Sequence, residues 1–422
     1  MRLVGGQTIV HPIGASVLVV LAIVALKVPR HYLAIPLLFL MVAIPSAQRV
    51  VIGSLDFSFI RILVMVTVAR IYLNKQNFQL QLEKPDYFIC YWAIWSIFAY
   101  GVLIGDVSGV VTRTGYMVDV VGAYYIGRAS IRTIDDIKNI TVFIGFMAIP
   151  MVFFFLIERG TGRNMFSVFG GLYDFTLIRN GRLRCQGPFS HPITAGIFWA
   201  SFLPWLAAFW YGGGLSKSKL ALFIGCVLVI IANTASSTPV MAVLFSVLGI
   251  SMFPLRKKMP AIKNSMIFLL VMLHFAMEKP IWHLISRVDI SGGSTGDHRY
   301  RLIQEAINHI GEWWMVGTIS TADWGRGLVD ITNQYILEGV RGGLLGVILF
   351  VVFLLKIFTL IGRALKKSNS NAELWIFWGA GVMLFAHMMN FLAASYFGQV
   401  TGLFFLLMGC IVSVTSNKVR AV

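Results

Sequence analysis

Long apolar runs recur along most of the sequence and constrain the fold more than any other feature. A helix of about 20 residues crosses the roughly 30 Å hydrocarbon core of a bilayer. Runs near this length lie at residues 13–29, 32–49, 57–73, 86–105, 110–128, 138–157, 192–212, 218–234, 238–255, 264–278, 341–361, 373–393 and 397–415. They lack the alternation that a membrane β-barrel needs. Since backbone groups in lipid must be paired internally, the runs predict an all-α polytopic membrane protein with about 12–13 transmembrane helices.

The composition supports this class. The chain is 57% hydrophobic and 13% charged, whereas a soluble domain is about 45–50% apolar and about 25% charged. The formal net charge is +17, but most lysines and many arginines lie in short loops between apolar runs, which argues against a nucleic-acid partner. The four cysteines show no CxxC spacing and so support neither a zinc site nor a disulfide framework. Lys27 and Pro29 follow the first run where small cleavage-site residues are expected, which favours a transmembrane helix over a signal peptide.

Basic residues divide the loops into two sets. Short basic loops alternate along the chain, at residues 27–30, 75–84, 128–138, 217–219, 256–263, 363–367 and 418–420. The positive-inside rule places these loops and the C-terminus in the cytoplasm. The two long loops, 158–191 and 279–340, then both lie outside. We expect a single transmembrane domain over residues 1–422, with a smaller and a larger extracytoplasmic loop.

The larger loop predicts an amphipathic helix over Asp297–Ile310. Apolar residues recur there at helical spacing, at Ile303, Ala306, Ile307 and Ile310. The start of the helix could be capped by Ser294, Thr295 or Asp297. The tryptophans at 313, 314 and 324 suit the headgroup layer of the membrane, and they could be anchors and nothing more.

The smaller loop is rich in arginine, which runs against the positive-inside trend. It contains Arg159, Arg163, Arg179, Arg182 and Arg184, against Glu158 and Asp174. A guanidinium binds phosphate through two parallel hydrogen bonds, so the loop predicts a phosphate-bearing substrate; contact with anionic headgroups is the alternative. Within the apolar runs, Arg61 lies nearer the outer end and is a functional candidate. Arg70 and Arg128 lie near the cytoplasmic ends, where we expect them to snorkel.

Three segments, in this order, resemble the O-antigen ligase and O-antigen polymerase superfamily. GRLRCQGPFSHPITAG (181–196) resembles its Arg…Gly-(Thr)-Phe…His-Pro-Asn…Ala signature before a membrane span. HRYRLIQEAINHIGEWWMVGT (298–318) resembles its Arg-x-x-x-Trp-x-x-Ala…Pro-(Leu)-x-Gly-x-Gly segment, with Gly317 as the first glycine and Trp314 or Met315 in place of the proline. DITNQYILEGVRGGLLG (330–346) resembles its closing His-Asn-x-Tyr-Leu…Gly-Leu-Leu-Gly motif.

The resemblance implies a GT-C-like, metal-independent glycosyltransferase without a cofactor in a bacterial inner membrane. Its donor is an undecaprenyl-diphosphate-linked oligosaccharide, and its acceptor a glycan or lipid hydroxyl on the extracytoplasmic side. Other polysaccharide assembly proteins are possible partners. Arg184 and Arg299 match arginines assigned to the diphosphate, and Arg61 matches one at the outer end of an early span. Asn333 and Tyr335 match the closing motif. Arg182, His191 and Arg301 are further substrate-binding candidates.

One departure affects the catalytic base. The family's ligases carry a histidine just before the matching asparagine, where this chain has Thr332, and threonine is not a general base near neutral pH. Asp330 is the nearest replacement; the others are His298, Asp297, His191 and Glu338. Asp330, His298 and Arg299 are therefore the predicted catalytic residues. The departure favours a polymerase or a divergent exopolysaccharide enzyme over a strict ligase.

The chemistry can also be argued without the family. In a glycan donor linked to a lipid diphosphate, the diphosphate is the leaving group. Arginines that face its growing negative charge stabilise the transition state, and a base takes the proton of the acceptor hydroxyl. The outer loops contain no Asp-x-Asp pair and no histidine pair at ligand spacing, so no catalytic metal is predicted. A transporter or flippase for lipid-linked glycans, or a non-catalytic assembly subunit, are the alternatives.

Overall fold

The computed structural model describes residues 7–74, 80–287 and 295–420, and most of them are helical. The first half contains α1 (Pro12–Lys27), α2 (Ile35–Ala43), α3 (Phe59–Leu73), α4 (Lys84–Ile104), α5 (Val107–Ser130), α6 (Ile134–Thr161), α7 (Pro192–Ala200) and α8 (Leu203–Gly212). The second half contains α9 (Lys217–Asn233), α10 (Ser237–Ser251), α11 (Met259–Ala276), α12 (Thr295–Asn308), α13 (Ile310–Trp313), α14 (Gln334–Lys366), α15 (Asn371–Asn390) and α16 (Gln399–Arg420). Lys75 and Ser294, which the sequence placed in a basic loop and at a helix cap, lie outside the described residues.

Two short antiparallel hairpins interrupt the helices. The first pairs β1 (Arg49–Ile52) with β2 (Leu55–Ser58), directly before α3. The second pairs β3 (Leu177–Arg179) with β4 (Arg182–Arg184), between α6 and α7. Its turn residues, Asn180 and Gly181, have φ values of 51° and 70°, as expected for the Asn-Gly turn that suits the twist of a tight hairpin.

Seven helical segments in the described part of the chain are long and apolar enough to cross a membrane. They are Lys84–Ile104, Ile134–Thr161, Pro192–Gly212, Phe253–Ala276, Gln334–Lys366, Asn371–Asn390 and Gln399–Arg420. Shorter apolar helices cover Pro12–Lys27, Arg30–Ala43 and Ser237–Ser251. The predicted class, an all-α polytopic membrane protein, is confirmed, whereas the count of 12–13 crossings stays a prediction.

The centre of the bundle is α16, which packs along α5. Every residue of α16 from Gln399 to Ser416 is buried. A Cβ atom added to Gly409 would lie 2.0 Å from the Tyr124 carbonyl oxygen, and one added to Gly127 would lie 2.2 Å from that of Leu406. The two backbones therefore touch, as small residues allow between membrane helices.

Three ion pairs join α5 to three other helices. Arg61 of α3 makes two hydrogen bonds to Asp119, at 3.0 and 2.7 Å, and Arg128 makes two to Asp86 of α4, both at 2.9 Å. Arg113 lies 3.3 Å from Glu338 of α14, and both side chains are buried. The acids explain why α5 can be the least apolar long helix of the bundle.

The expected snorkelling of Arg128 is wrong, whereas that of Arg70 stays a prediction. Arg128 is buried against Asp86, an acid in the first turn of the neighbouring helix. Arg70 donates to the carbonyl oxygens of Ala25 and Val28, at 2.6 and 2.7 Å. Arg128 therefore has a counter-charge within the bundle and does not have to reach for the interface, whereas the partners of Arg70 lie at the end of α1.

The predicted amphipathic helix of the larger loop is confirmed as α12, but its buried face differs from the expected one. Leu302 and Ala306 are buried and pack with Trp313, Trp324, Leu328 and Val340, whereas Ile307 and Ile310 are exposed. Trp313 donates to the Ala306 carbonyl oxygen at 2.7 Å. Two of the three tryptophans are thus core residues of the loop, and only Trp314 is exposed.

The larger loop docks on a break in α14. Gly343 has φ 65° and ψ −172° inside this helix, which leaves backbone groups around it without helical partners. The Thr318 N–H donates to the Val340 oxygen at 2.9 Å, and the Leu344 N–H donates to the Trp314 oxygen at 2.8 Å. The Trp95 indole N–H donates to the Gly342 oxygen at 2.7 Å. The loop and α4 therefore satisfy the groups that the break exposes.

We expect Gly343→Ala to destabilise the protein by about 2 kcal/mol or more. The added methyl group would lie 2.2 Å from the Met315 carbonyl oxygen at a left-handed φ. Gly342→Ala is the matched control, because its nearest new contact is the Trp95 indole nitrogen at 4.0 Å. Thermal unfolding in detergent, followed by tryptophan fluorescence, measures both. Equal melting temperatures for the two variants would contradict the docking role of Gly343.

Candidate functional site

Two arginines from different loops meet at the start of α10. The Arg184 Nη2 donates to the Ser236 hydroxyl at 2.8 Å, and the Arg299 Nη2 donates to the Thr238 hydroxyl at 3.1 Å. Ser236 is the N-cap residue of α10, and its side chain makes no capping hydrogen bond. The start of a helix carries unpaired N–H groups and a partial positive charge. Two guanidinium groups and a helix N-terminus thus gather in one place, which is suited to an anion.

Arg184 is buried without an acid. Arg184 is 7% exposed, and its Nε has no hydrogen-bond partner among the described residues. Among the residues that the structure describes, no carboxylate forms an ion pair with it. Burial and the charge of Arg179 lower the pKa of Arg184. A buried charge without a counter-charge is costly, so a bound anion would stabilise this arrangement.

The β3–β4 hairpin sets the direction of its arginines. Leu177 pairs with Arg184, and Arg179 pairs with Arg182. Cross-strand partners project from the same face of a hairpin, as do residues two apart on one strand. Arg179, Arg182 and Arg184 therefore share one face. Arg184 is buried at its base and Arg182 is exposed near its tip.

Glu158, at the end of α6, fixes the path from this hairpin to α7. Its carboxylate accepts hydrogen bonds from the backbone N–H groups of Gln186 and Gly187, at 3.0 and 2.9 Å, and from the Thr176 hydroxyl at 3.3 Å. The sequence presented Glu158 as a counter-charge to the loop arginines. In the structure it is a backbone ligand that positions the turn after Arg184.

His191 is a neutral hydrogen-bond donor. It is the N-cap residue of α7, and its Nδ1 accepts from the Ile193 N–H at 3.1 Å, so the ring proton lies on Nε2. Burial and the charges of Arg184 and Arg179 lower the pKa of His191 to about 4. His191 therefore fits its predicted role in substrate binding, and its occupied Nδ1 does not fit the role of general base.

His298 and Asp330 are brought together, although not through the carboxylate. The His298 Nε2 lies 3.1 Å from the Asp330 backbone oxygen. A carbonyl oxygen can only accept, so Nε2 carries the proton and Nδ1 is the basic atom of a neutral ring. His298 precedes Arg299 in the first turn of α12. The Thr332 hydroxyl oxygen is buried without a hydrogen-bond partner.

Two residues of the closing motif have structural contacts. The Asn333 side chain caps α14 by accepting from the Ile336 N–H at 3.2 Å. The Tyr335 hydroxyl donates to the Met388 carbonyl oxygen at 3.1 Å, which ties α14 to α15. These contacts hold the start of α14 in place.

Three other candidates are engaged away from the start of α10. Arg61 is bound to Asp119, and Glu338 accepts from Arg113 and, at 2.7 Å, from the Gln334 amide. Glu338 is thus a poor candidate for the base. Arg301 forms an exposed pair with Asp297 at 2.9 Å. Residues two apart on an α-helix differ by about 200°, so Arg301 lies across α12 from Arg299.

Sequence reasoning missed the residues that receive the two arginines, Ser236 and Thr238. The signal was present as Ser-Ser-Thr-Pro at 236–239, a typical helix start after an apolar run. It also missed Asp119 and Asp86 as partners of bundle arginines. Within the described ranges, no three His, Cys, Asp or Glu side chains cluster in a way that could hold a metal ion.

No protein-family model matches the chain, and no curated protein shows a significant match to it. The resemblance to the O-antigen ligase and polymerase superfamily stays a prediction, carried by its three motifs.

We expect Glu158→Gln to lower the free energy of unfolding by about 2–3 kcal/mol. The amide would present N–H groups to a site that contains three donors. Asp174→Asn is the control, since Asp174 is the other acid of this loop and is exposed. Thermal unfolding in detergent should separate the two variants. An unchanged melting temperature for Glu158→Gln would show that the turn after Arg184 does not depend on the carboxylate.

His191 should make the fold sensitive to acid. Its pKa falls from 6.5 to about 4 on folding. Between these two pH values the unfolded chain binds a proton at His191 and the folded protein does not. The penalty is absent above about pH 6.5, grows as the pH falls, and reaches on the order of 3 kcal/mol near pH 4. His191→Asn keeps a capping side chain without the titration. Melting temperatures measured from pH 7.5 to 4.5 should therefore fall less steeply for the variant, and parallel curves would contradict the assignment.

Proposed function

We propose that the protein is a metal-independent glycosyltransferase of a bacterial inner membrane. It moves or polymerises a glycan from an undecaprenyl-diphosphate carrier onto a sugar hydroxyl. The observation that carries the proposal is the meeting of Arg184 and Arg299 at the start of α10, where Arg184 is buried and has no ion-pair partner among the described residues. An anion with several oxygens, such as a diphosphate, fits the charge and the number of donors there.

The arginines supply the electrostatic part of the reaction. As the bond between the anomeric carbon and the diphosphate breaks, negative charge grows on the leaving oxygen. Donors that already point at this oxygen stabilise the transition state more than the ground state. The Ser236 and Thr238 hydroxyls hold Arg184 and Arg299 before substrate arrives, and the His191 Nε2–H adds a neutral donor.

His298 is the preferred general base. Its Nδ1 is the basic atom of the ring, because Nε2 donates to the Asp330 carbonyl oxygen. His298 directly precedes Arg299 on α12, and this proximity along the chain supports a base near the charge that develops in the reaction. Asp330, whose carboxylate is exposed, is the second candidate. Either residue would do the work of the histidine that Thr332 replaces, and the replacement favours a polymerase over a strict ligase.

The orientation of the site is also part of the proposal. The start of α10 lies at the opposite end of that helix from the basic segment Arg256–Lys258. By the positive-inside rule, the basic segment is cytoplasmic and the site extracytoplasmic, where lipid-linked glycans are assembled. The C-terminus then lies in the cytoplasm. A GT-C-like relationship agrees with this arrangement.

The test is reconstitution of the purified protein with undecaprenyl-diphosphate oligosaccharides, with products read by gel and mass spectrometry. We expect Arg184→Ala and Arg299→Ala to lower the rate of diphosphate release by about 100-fold or more. Arg301→Ala is the matched control on the same helix and should stay within about twofold, because its ion pair is exposed. Correct insertion of each variant is checked by its melting temperature.

The products decide among the alternatives. Longer lipid-linked chains identify a polymerase, and transfer only to an added lipid or glycan acceptor identifies a ligase. Intact donor that moves across vesicle membranes would replace the proposal with a flippase. Intact donor that stays on one side, with every acceptor tried, would leave a non-catalytic assembly subunit.

A further inference from the structure

The β3–β4 hairpin carries more positive charge than the site at the start of α10 uses. Arg184 lies at its buried base, while Arg179 and Arg182 face each other across the strands near the tip. All three project from one face. Like charges directly opposite each other destabilise a strand pair. The hairpin tolerates the repulsion between Arg179 and Arg182, although only Arg184 makes a hydrogen bond to Ser236.

The other arginines of the smaller loop have partners within the protein, whereas this pair has no ion-pair partner among the residues that the structure describes. Arg159 donates to the Leu183 carbonyl oxygen at 3.0 Å, and the guanidinium of Arg163 lies over the Phe175 ring at 5.5 Å. In the described part of the chain, no carboxylate pairs with Arg179 or Arg182. Glu158, the nearest buried acid in sequence, is occupied by backbone N–H groups.

We propose that Arg179 and Arg182 bind a carboxylate or phosphate group on the donor glycan, so that the protein selects donors whose glycan is acidic near the diphosphate. This inference rests on the proposed function. A strand rises about 3.4 Å per residue, which puts Arg182 about 7 Å from Arg184 along β4. When Arg184 holds the diphosphate, this distance puts the pair within reach of the sugar bonded to the diphosphate and of the sugar after it.

The geometry favours a glycan over a membrane lipid as the bound anion. The pair lies on the side of Arg184 that leads to the exposed turn at Asn180 and Gly181, away from the helix start that Arg184 contacts. A ligand held by Arg184 and extending along this face meets the pair directly. The charges of Arg179 and Arg184 both lower the pKa of His191, so the hairpin face and the site at the start of α10 act on the same neighbour.

The experiment compares two synthetic polyprenyl-diphosphate disaccharides. They differ only in the second sugar, which is glucuronic acid in one and its methyl ester in the other. Binding is measured by microscale thermophoresis in phosphatidylcholine nanodiscs. We expect the wild-type protein to bind the acid about tenfold more tightly than the ester. Arg179→Gln/Arg182→Gln should remove this preference and leave the affinity for the ester unchanged.

Two further variants separate charge from structure. Arg179→Lys/Arg182→Lys keeps the charges and should retain most of the preference. Arg163→Gln removes a charge from the same loop but not from the hairpin face, and should retain all of it. A preference lost in Arg163→Gln would overturn the assignment to the pair.

The remaining outcomes distinguish this inference from the proposed function. If the wild-type protein binds both donors equally and Arg184→Ala weakens both, the inference fails and the proposed function stands. If the Gln double variant weakens both donors equally, the pair belongs to the diphosphate, and the inference again fails. If both donors bind equally and the double variant loses co-purified phosphatidylglycerol, the pair binds membrane lipid instead. If neither donor binds, or Arg184→Ala changes nothing, the proposed function fails and this inference fails with it.

Discussion

Neutralisation of buried charge holds the helix bundle together. A guanidinium taken out of water costs several kcal/mol unless a counter-charge or hydrogen bonds replace its hydration. Helix α5 meets this requirement three times, through Arg61–Asp119 with α3, Arg113–Glu338 with α14 and Arg128–Asp86 with α4. Each pair fixes α5 to a different neighbour, while its glycine contact with α16 fixes it to the centre. The least apolar long helix of the bundle is thus the one to which α3, α4, α14 and α16 attach.

Arg184 differs from these arginines, because no acid is paired with it among the described residues. Like the arginines of α5 it is buried, yet among the described residues its guanidinium has a hydrogen bond only to the Ser236 hydroxyl. Glu158 could have served as its partner but is bound to backbone N–H groups of the same loop. The Ser236 hydroxyl therefore holds Arg184 in position without neutralising the charge of its guanidinium. This combination supports the proposed anion site over a purely structural role for Arg184.

The sequence predicts the class of fold and the loops that carry the site, because both depend on local patterns. Continuous apolar runs identify membrane helices, and the helical spacing of Ile303 and Ala306 identifies α12. Contacts between distant residues leave no such pattern. Nothing local shows that Asp119 meets Arg61, or that Trp313 faces the core of the loop and not the membrane. Arg184 and Arg299 could be predicted through the family resemblance, whereas their meeting at Ser236 and Thr238 required the structure.

Helix α11 has no buried residue, and its main contacts are with the short 3₁₀ segments Phe253–Lys258 and Ile281–Arg287 before and after it. The second of these segments packs against α12, and the Trp282 indole N–H donates to the Gln304 amide oxygen at 3.1 Å. At the other end of the larger loop, Trp314 and Thr318 are hydrogen-bonded to the break in α14. The loop is therefore fixed on both sides of Arg299 by elements other than α11. Substitutions on the surface of α11 can accordingly accumulate without moving Arg299, whereas changes of length next to α12 cannot.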